Sequence, residues 1–278
     1  MMIKNIGKMT FYKLTITYIF LFVEFFSYSQ SLVDDDILNY KINGNVKSVI
    51  EIGFKGNNKE DTIGCPKKLS YGKNGKLLKA DYCVSNLYFD YVYVYDKKGN
   101  VIYENTSYDK NENTFDDNGN LIEHKSGVTG NEYFGKWIYK YDKNNNQIER
   151  IGYIDNDFIE RWIHKYDQNN RRIEEIMVDE NIDSVLNIKR TFEYDDKNNI
   201  IRQLYISYSQ GKKEQWEYLY KYDIFNNITE YITIDNNNKQ QKITYKYKYD
   251  SVGNWIEKTS VEKGVIKNIY ERKILYYK

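Results

Sequence analysis

The stretch Tyr249-Asp250-Ser251-Val252-Gly253-Asn254-Trp255-Ile256 reads as the tip of a β-hairpin with both strand ends attached. An Asp at the start of a turn can accept hydrogen bonds from backbone N–H groups further along the chain. The Gly three residues after it suits a left-handed backbone, which follows a type I turn and starts the bulge that restores strand pairing. Ile256 then belongs to the returning strand, where branched apolar residues pack well.

The pattern recurs. Tyr95, Tyr141, Tyr166, Tyr194 and Tyr222 head further Tyr-Asp copies, and Phe115-Asp116 and Tyr71-Gly72 are degenerate ones. From Tyr71 to Tyr249 the intervals are 24, 20, 26, 25, 28, 28 and 27 residues, the range of a repeat architecture. The fourth position after the aromatic decides the matter. It holds Gly75, Gly99, Gly119, Asn145, Asn170, Asn198, Asn226 and Gly253, all residues that tolerate φ > 0. The alignment uses the aromatic and the Asp, so a compositional bias would not fill this column without exception. The seventh position holds Leu78, Ile102, Ile122, Ile148, Ile173, Ile201 and Ile256, with Thr229 in the remaining copy.

The strand entering each turn alternates. Tyr91, Tyr93 and Tyr95 share a face, as do Trp137, Tyr139 and Tyr141, then Trp162, His164 and Tyr166. Tyr218, Tyr220 and Tyr222 repeat the period of two, and so do Tyr245, Tyr247 and Tyr249. That is a strand signal, and it predicts an aromatic ladder across neighbouring hairpins. Eight hairpins give about sixteen strands, and a sheet that wide must twist and curl. The fold class is therefore all-β: an antiparallel meander of tandem hairpins, coiled or rolled into an open barrel or shell. Val46–Phe54 and Glu271–Tyr277 are expected to cap its ends. No composition break divides the chain after its leader, so residues 30–278 read as one elongated domain with the repeats over 69–278.

The leader itself is legible. Lys4, Lys8 and Lys13 precede an apolar stretch from Leu14 to Phe26 that carries Glu24, and Ser27-Tyr28-Ser29 offers small residues at a cleavage site. Residues 1–29 are expected to be a removable export signal, placing the protein in the periplasm, on the cell surface or outside the cell. The apolar stretch is short for a bilayer span. Removing it takes away three lysines and one glutamate, and shifts the net charge from +1 to −1. Such a balance offers no long-range attraction for nucleic acid or anionic lipid.

Ala80 is the only alanine, Pro66 the only proline, and Tyr occurs 30 times. The scarcity of Ala argues against helices. Cys65 and Cys83 are the only cysteines. After export they can close a disulfide around one hairpin or remain as two thiols, and the sequence leaves both open.

Tyr95-Asp96-Lys97-Lys98-Gly99-Asn100-Val101-Ile102 and the copy at Tyr249 resemble the YD repeat of Rhs-type proteins. The resemblance covers roughly residues 69–278 and implies a β-repeat architecture in an extracytoplasmic setting. In large family members the repeats coil into a hollow shell. This chain differs in using Asn for Gly in half the copies, and shows no autoprotease segment or C-terminal toxin domain.

No constellation in the sequence carries catalysis. His124 and His164 are the only histidines, and neither lies in a metal or nucleophile motif. Asp34-Asp35-Asp36, Asp116-Asp117-Asn118 and Asp155-Asn156-Asp157 lack the spacing of a calcium loop. No cofactor and no metal is implied. Trp137, Trp162, Trp216 and Trp255 are the candidate stacking residues for a glycan or protein partner. The competing assignment, that they belong to the aromatic core, is strongest for Trp137 and Trp162, which align at one repeat position. Tyr245-Lys246-Tyr247-Lys248-Tyr249 has the interleaving of a single-strand nucleic-acid platform, but lysines on the outer face of a strand explain it more simply. The sequence thus predicts a non-enzymatic binding or scaffold protein of unknown oligomeric state. The alternatives are a carbohydrate-active hydrolase with paired acids on a concave face, and an accessory or shell protein of an Rhs-type toxin system.

Overall fold

The eight turns predicted above all have a left-handed residue at the fourth position. The φ values are 77°, 98°, 85° and 88° at Gly75, Gly99, Gly119 and Gly253, and 62°, 59°, 66° and 64° at Asn145, Asn170, Asn198 and Asn226. Each turn closes in the same way. In the copy at Tyr141, Asp142 N–H donates to the Asn146 carbonyl (2.9 Å) and Asn145 N–H to the Asp142 carbonyl (3.1 Å). The Asp142 carboxylate accepts from the N–H groups of Asn144 and Asn146. One strand gains a residue there, so pairing skips from Lys140↔Glu149 to Tyr141↔Gln147.

This computed structural model describes residues 42–84, 87–105, 109–128, 130, 132–178, 186–209 and 212–278. The expected leader, residues 1–29, lies outside them, as does Asp34-Asp35-Asp36. Gly44–Lys278 makes one compact unit. Its strands are β1 (Val46–Lys55), β2 (Thr62–Tyr71), β3 (Leu77–Val84), β4 (Leu87–Tyr95), β5 (Val101–Asn105), β6 (Asp109–Phe115), β7 (Leu121–Val128), β8 (Tyr133–Tyr141) and β9 (Gln147–Ile154). They continue as β10 (Asp157–Tyr166), β11 (Arg172–Val178), β12 (Leu186–Tyr194), β13 (Ile200–Ser209), β14 (Lys212–Tyr222), β15 (Ile228–Ile234), β16 (Gln240–Tyr249), β17 (Trp255–Glu262) and β18 (Val265–Tyr276). The repeats supply the sixteen strands β2 to β17. Among the described residues no helix is long and apolar enough to cross a membrane.

Every consecutive pair is antiparallel, and β1 also pairs with β18, from Val46↔Tyr276 to Lys55↔Asn268. The sheet therefore closes on itself. The end strands do not cap two separate ends, as the sequence suggested. They bond to one another, because an unpaired edge leaves a row of backbone donors and acceptors unsatisfied. Closure on an even number of strands keeps the last pair antiparallel.

A closed sheet has an inside and an outside. The face of Tyr91, Tyr93, Trp162, His164 and Phe192 is buried. The opposite face carries Lys140, Lys165, Lys221 and Lys248, whose side chains are 59–72 % exposed. The aromatic face is the inner one. Outside, each of these lysines meets a glutamate on the next strand: Glu149, Glu174, Glu230 and Glu257. In the copy at Tyr194 the charges are exchanged, Glu193 against Arg202, and the pair persists.

The tightest packing lies at the seam. Val49 and Leu69 are 1 % exposed and the lone alanine, Ala80, is fully covered. They are direct cross-strand partners, Val49↔Leu69 and Leu69↔Ala80, on adjacent strands. Pro66 falls where the β1–β2 register jumps from Glu51↔Lys67 to Gly53↔Ile63, a bulge where its missing N–H costs no ladder bond. A disulfide joins Cys65 to Cys83, with Cα atoms 5.7 Å apart, tying β2 to β3.

Tyrosine is favoured over phenylalanine at the repeat aromatic for its hydroxyl. Where two repeats meet, the ladder stops short of the turn rim and leaves a carbonyl unpaired. The hydroxyls of Tyr95, Tyr141, Tyr166, Tyr194 and Tyr222 donate to the carbonyls of Leu77, Leu121, Gln147, Arg172 and Ile200, at 2.5–2.8 Å. Each acceptor is the sixth residue after the aromatic of the preceding copy. Phe115 has no hydroxyl, and there Asn113, two residues earlier, donates its amide to the Val101 carbonyl (2.8 Å). In the last copy Tyr247 serves Ile228 (2.8 Å), and Tyr249 instead donates to the Asp223 carboxylate.

Candidate functional site

The returning strands put polar residues between the aromatic ones. Neighbouring strands lie about 4.8 Å apart, so the aromatic strands of successive repeats stand roughly 10 Å from one another. That exceeds ring contact, so the aromatic ladder expected from the sequence bridges hairpins where the returning strand carries a ring, as with Tyr82 on Tyr91 at 5.5 Å and Tyr205 on Trp216 at 5.6 Å. Charged side chains fill the gaps. The register sets Tyr139↔Arg150↔Trp162 across β8, β9 and β10. It also sets His164↔Glu175↔Arg190↔Tyr205↔Trp216 across β10 to β14.

Two carboxylates organise this strip. Glu160 accepts from the indole N–H of Trp137 (3.2 Å), the indole N–H of Trp162 (2.8 Å) and Arg150 (2.8 Å). Glu175 accepts from Arg190 (3.0 Å) and lies 3.3 Å from Arg172 and 3.5 Å from His164 Nδ1. The Gln147 amide lies 3.2 Å from the other ring nitrogen of His164. Burial alone would push the Glu175 carboxyl up, but the His164 contact and the two guanidiniums outweigh it and bring it down to about 2.

The guanidiniums also cover rings. Arg150 and Arg190 lie 5.5 Å and 5.2 Å from the Trp162 ring centre, and Arg190 is 5.5 Å from that of Tyr205, within cation–π range. Tyr205 packs on Trp216 at 5.6 Å. Gly152 stands opposite Trp137, and a Cβ there would meet the indole nitrogen at 2.8 Å. Beside Trp137, at 5.4 Å, lies His124, whose Nδ1 is 2.7 Å from the Asn113 amide oxygen. Burial, with a smaller contribution from Arg150, pushes His124 down to about 4.

Of the four candidate tryptophans, Trp137 and Trp162 share the Glu160 carboxylate, and Trp216 joins them through Tyr205 and Arg190. Trp255 lies apart, in the seam, with Arg272 3.2 Å from its ring centre and Glu51 2.8 Å from Arg272. Trp162 and Trp255 are buried, whereas Trp137 and Trp216 are half-buried. Sequence reading missed Arg150, Glu160, Arg172, Glu175 and Arg190. For four of them the signal was present: Arg150, Glu160, Glu175 and Arg190 lie on the strand parity that faces the tyrosines. Arg172 reaches that face only through the bulge between Lys165↔Glu174 and Tyr166↔Arg172.

The two acidic stretches within the described residues, at Asp116 and Asp155, are turns. Asp155 and Asn156 both have φ > 0, 49° and 71°, as a two-residue hairpin turn requires. The Asp116 carboxyl is held below the usual range by the side chain and N–H of Asn120 in its own turn. No group of metal-ligating side chains gathers among the described residues.

No family model, that of the YD repeat included, and no curated protein sequence matches the chain. Among solved structures it is similar to a porin-like protein from Bacteroides uniformis ATCC 8492, with 9 % identity over 84 % of this chain and 98 % of that one, TM-score 0.44. A porin-like protein from Bacteroides vulgatus ATCC 8482 gives 10 % identity, the same coverage and a TM-score of 0.42. The TcdB2-TccC3-TEV structure gives 13 % identity over 76 % of this chain but 12 % of that one, TM-score 0.37.

Proposed function

We propose that this protein is an exported β-barrel, facing the cell envelope or the medium, with a non-enzymatic role in binding or as a scaffold. The observation that carries this reading is the distribution of charge over the two faces. Outside, lysine–glutamate pairs recur from strand to strand among exposed apolar residues such as Leu78, Ile122, Ile148, Ile173 and Ile201, a mixed surface. A lipid-facing barrel needs an apolar band about 25 Å tall, which charged pairs would interrupt. Inside, Glu160 and Glu175 are each held by several donors.

Those inner carboxylates also bear on the hydrolase alternative. A glycosidase needs one carboxyl that keeps its proton near neutral pH and a second free to act as base or nucleophile. Glu175, held at about 2, is unsuited to the first task, and Glu160 is saturated by two indoles and a guanidinium.

A glycan array and a pull-down with the exported protein test the proposal, together with fractionation of producing cells. Retention of a ligand or partner by protein from the soluble or peripherally bound fraction is expected. Turnover of a substrate without a retained partner, or extraction only by detergent, would overturn it.

A further inference from the structure

The strip from Trp137 on β8 to Trp216 on β14 crosses seven strands, a length of about 29 Å at the usual strand spacing. Along it, rings alternate with guanidiniums: Arg150, Trp162, Arg190, Tyr205 and Trp216 follow one another through the contacts given above. Arg150, Arg172 and Arg190, with Lys212 at the start of β14, face Glu160, Glu175 and Glu214 there, and His124, depressed to about 4, is neutral at physiological pH. One positive charge is in excess. The arginine best placed to offer it is Arg172, whose side chain is 40 % exposed, against 27 % for Arg150 and 19 % for Arg190.

We propose that this strip is the binding face for an oligosaccharide in which carboxylated sugars are interspersed with neutral ones. The inference rests on the binding role proposed above and names its ligand class. Half-buried Trp137 and Trp216 keep part of their rings accessible as apolar surface at the two ends, and Arg172 offers a planar donor for a carboxylate near the middle. The chemistry favours a sparsely charged polymer. A nucleic-acid strand brings a phosphate with every nucleotide, and a single excess charge cannot balance it. Its bases would also need free ring faces, and Trp162 has guanidiniums against it instead.

The test is calorimetric titration of the purified protein with a hyaluronan oligosaccharide, in which glucuronate and N-acetylglucosamine alternate. A neutral chitin oligosaccharide of equal length and a single-stranded oligonucleotide serve as comparisons. Hyaluronan is expected to bind at least about tenfold more tightly than the neutral chain, a difference of about 1.4 kcal/mol. Arg172→Gln should remove most of that preference and Arg172→Lys should retain part of it, with both variants melting within a few degrees of the parent. Equal binding of the neutral chain, undiminished preference in folded Arg172→Gln, tighter binding of the oligonucleotide, or no binding of hyaluronan would each overturn the inference. A protein that ignores hyaluronan but still captures another partner loses only this ligand assignment. Loss of the general binding role would require the outcomes named for it above.

Discussion

At the seam, β1, β2 and β3 bury Val49, Leu69 and Ala80 against one another almost completely. Across β8 to β14 the same inner face holds arginines, glutamates and indoles linked by ion pairs and hydrogen bonds centred on Glu160 and Glu175. Both regions belong to one closed sheet with one register logic, yet β1 to β3 pack by aliphatic burial and β8 to β14 by charge-assisted contacts. The β1–β18 junction combines the two, with Val49 opposite Ile274 and Arg272 bonded to Glu51 over Trp255. The difference follows from what each region must do. β1 has to hold β18, more than two hundred residues away, and the aliphatic packing of β1 to β3 fixes the strand that does so, with Val49 itself opposite Ile274 of β18. The array is joined locally by its turns and can bear the desolvation cost of ionic groups, provided every one is paired.

The comparison breaks first at single deletions. Glu175→Gln leaves Arg172 and Arg190 without their anion and is expected to cost roughly 3–5 kcal/mol. Leu69→Ala, at the seam, is expected to cost about 2–5 kcal/mol through a cavity. Urea denaturation reads both. Only the loss at Glu175 should depend on pH. Its folded value, about 2, lies below the ordinary carboxyl, so its stabilisation is complete above the unfolded value and disappears as pH falls towards 2. Leu69→Ala should run parallel to the parent over that window, and an equal acid response in the two variants would contradict the division drawn here.

His124 gives a second, higher window. Its folded value of about 4 lies below that of a free imidazole, so the unfolded chain binds the proton first as pH falls. Stability is complete above about 6.5 and drops by on the order of 3 kcal/mol as pH falls to about 4. His124→Gln should flatten that slope in a pH series of denaturation midpoints.

The smaller effects sharpen the account of the repeat. Tyr194→Phe removes the hydroxyl that serves the Arg172 carbonyl and should cost about 1 kcal/mol. At the odd copy, Phe115→Tyr should rescue Asn113→Ala, because either side chain can serve the Val101 carbonyl, and failure of that rescue in thermal melts would sink the assignment. Exchanging the outer pair of the last copy, Lys248→Glu with Glu257→Lys, should change stability by less than about 0.5 kcal/mol, since exposed pairs contribute little in either orientation.

The turn tips were legible residue by residue, because an Asp and a left-handed Gly or Asn act within a few residues of one another. The strand parity was legible for the same reason. The inner strip was only half legible: the tyrosines and tryptophans stood out, and Arg150, Glu175 and Arg190 did not, because their partners depend on the exact register between neighbouring hairpins, which charged residues in a polar-rich strand do not announce. Asn113 is the sharpest case. As a sequence it is one more polar residue beside a degenerate copy, and only the Val101 carbonyl explains it.

What the sequence determined by itself is the unit: the bulged hairpin, its register, its two faces and its number. These rest on local dihedral preferences and on alternation, which any single copy expresses. What only the tertiary structure decided is closure. β1 and β18 lie more than two hundred residues apart, neither carries the repeat, and their pairing follows from the curl accumulated over sixteen strands together with the cost of leaving two edges open.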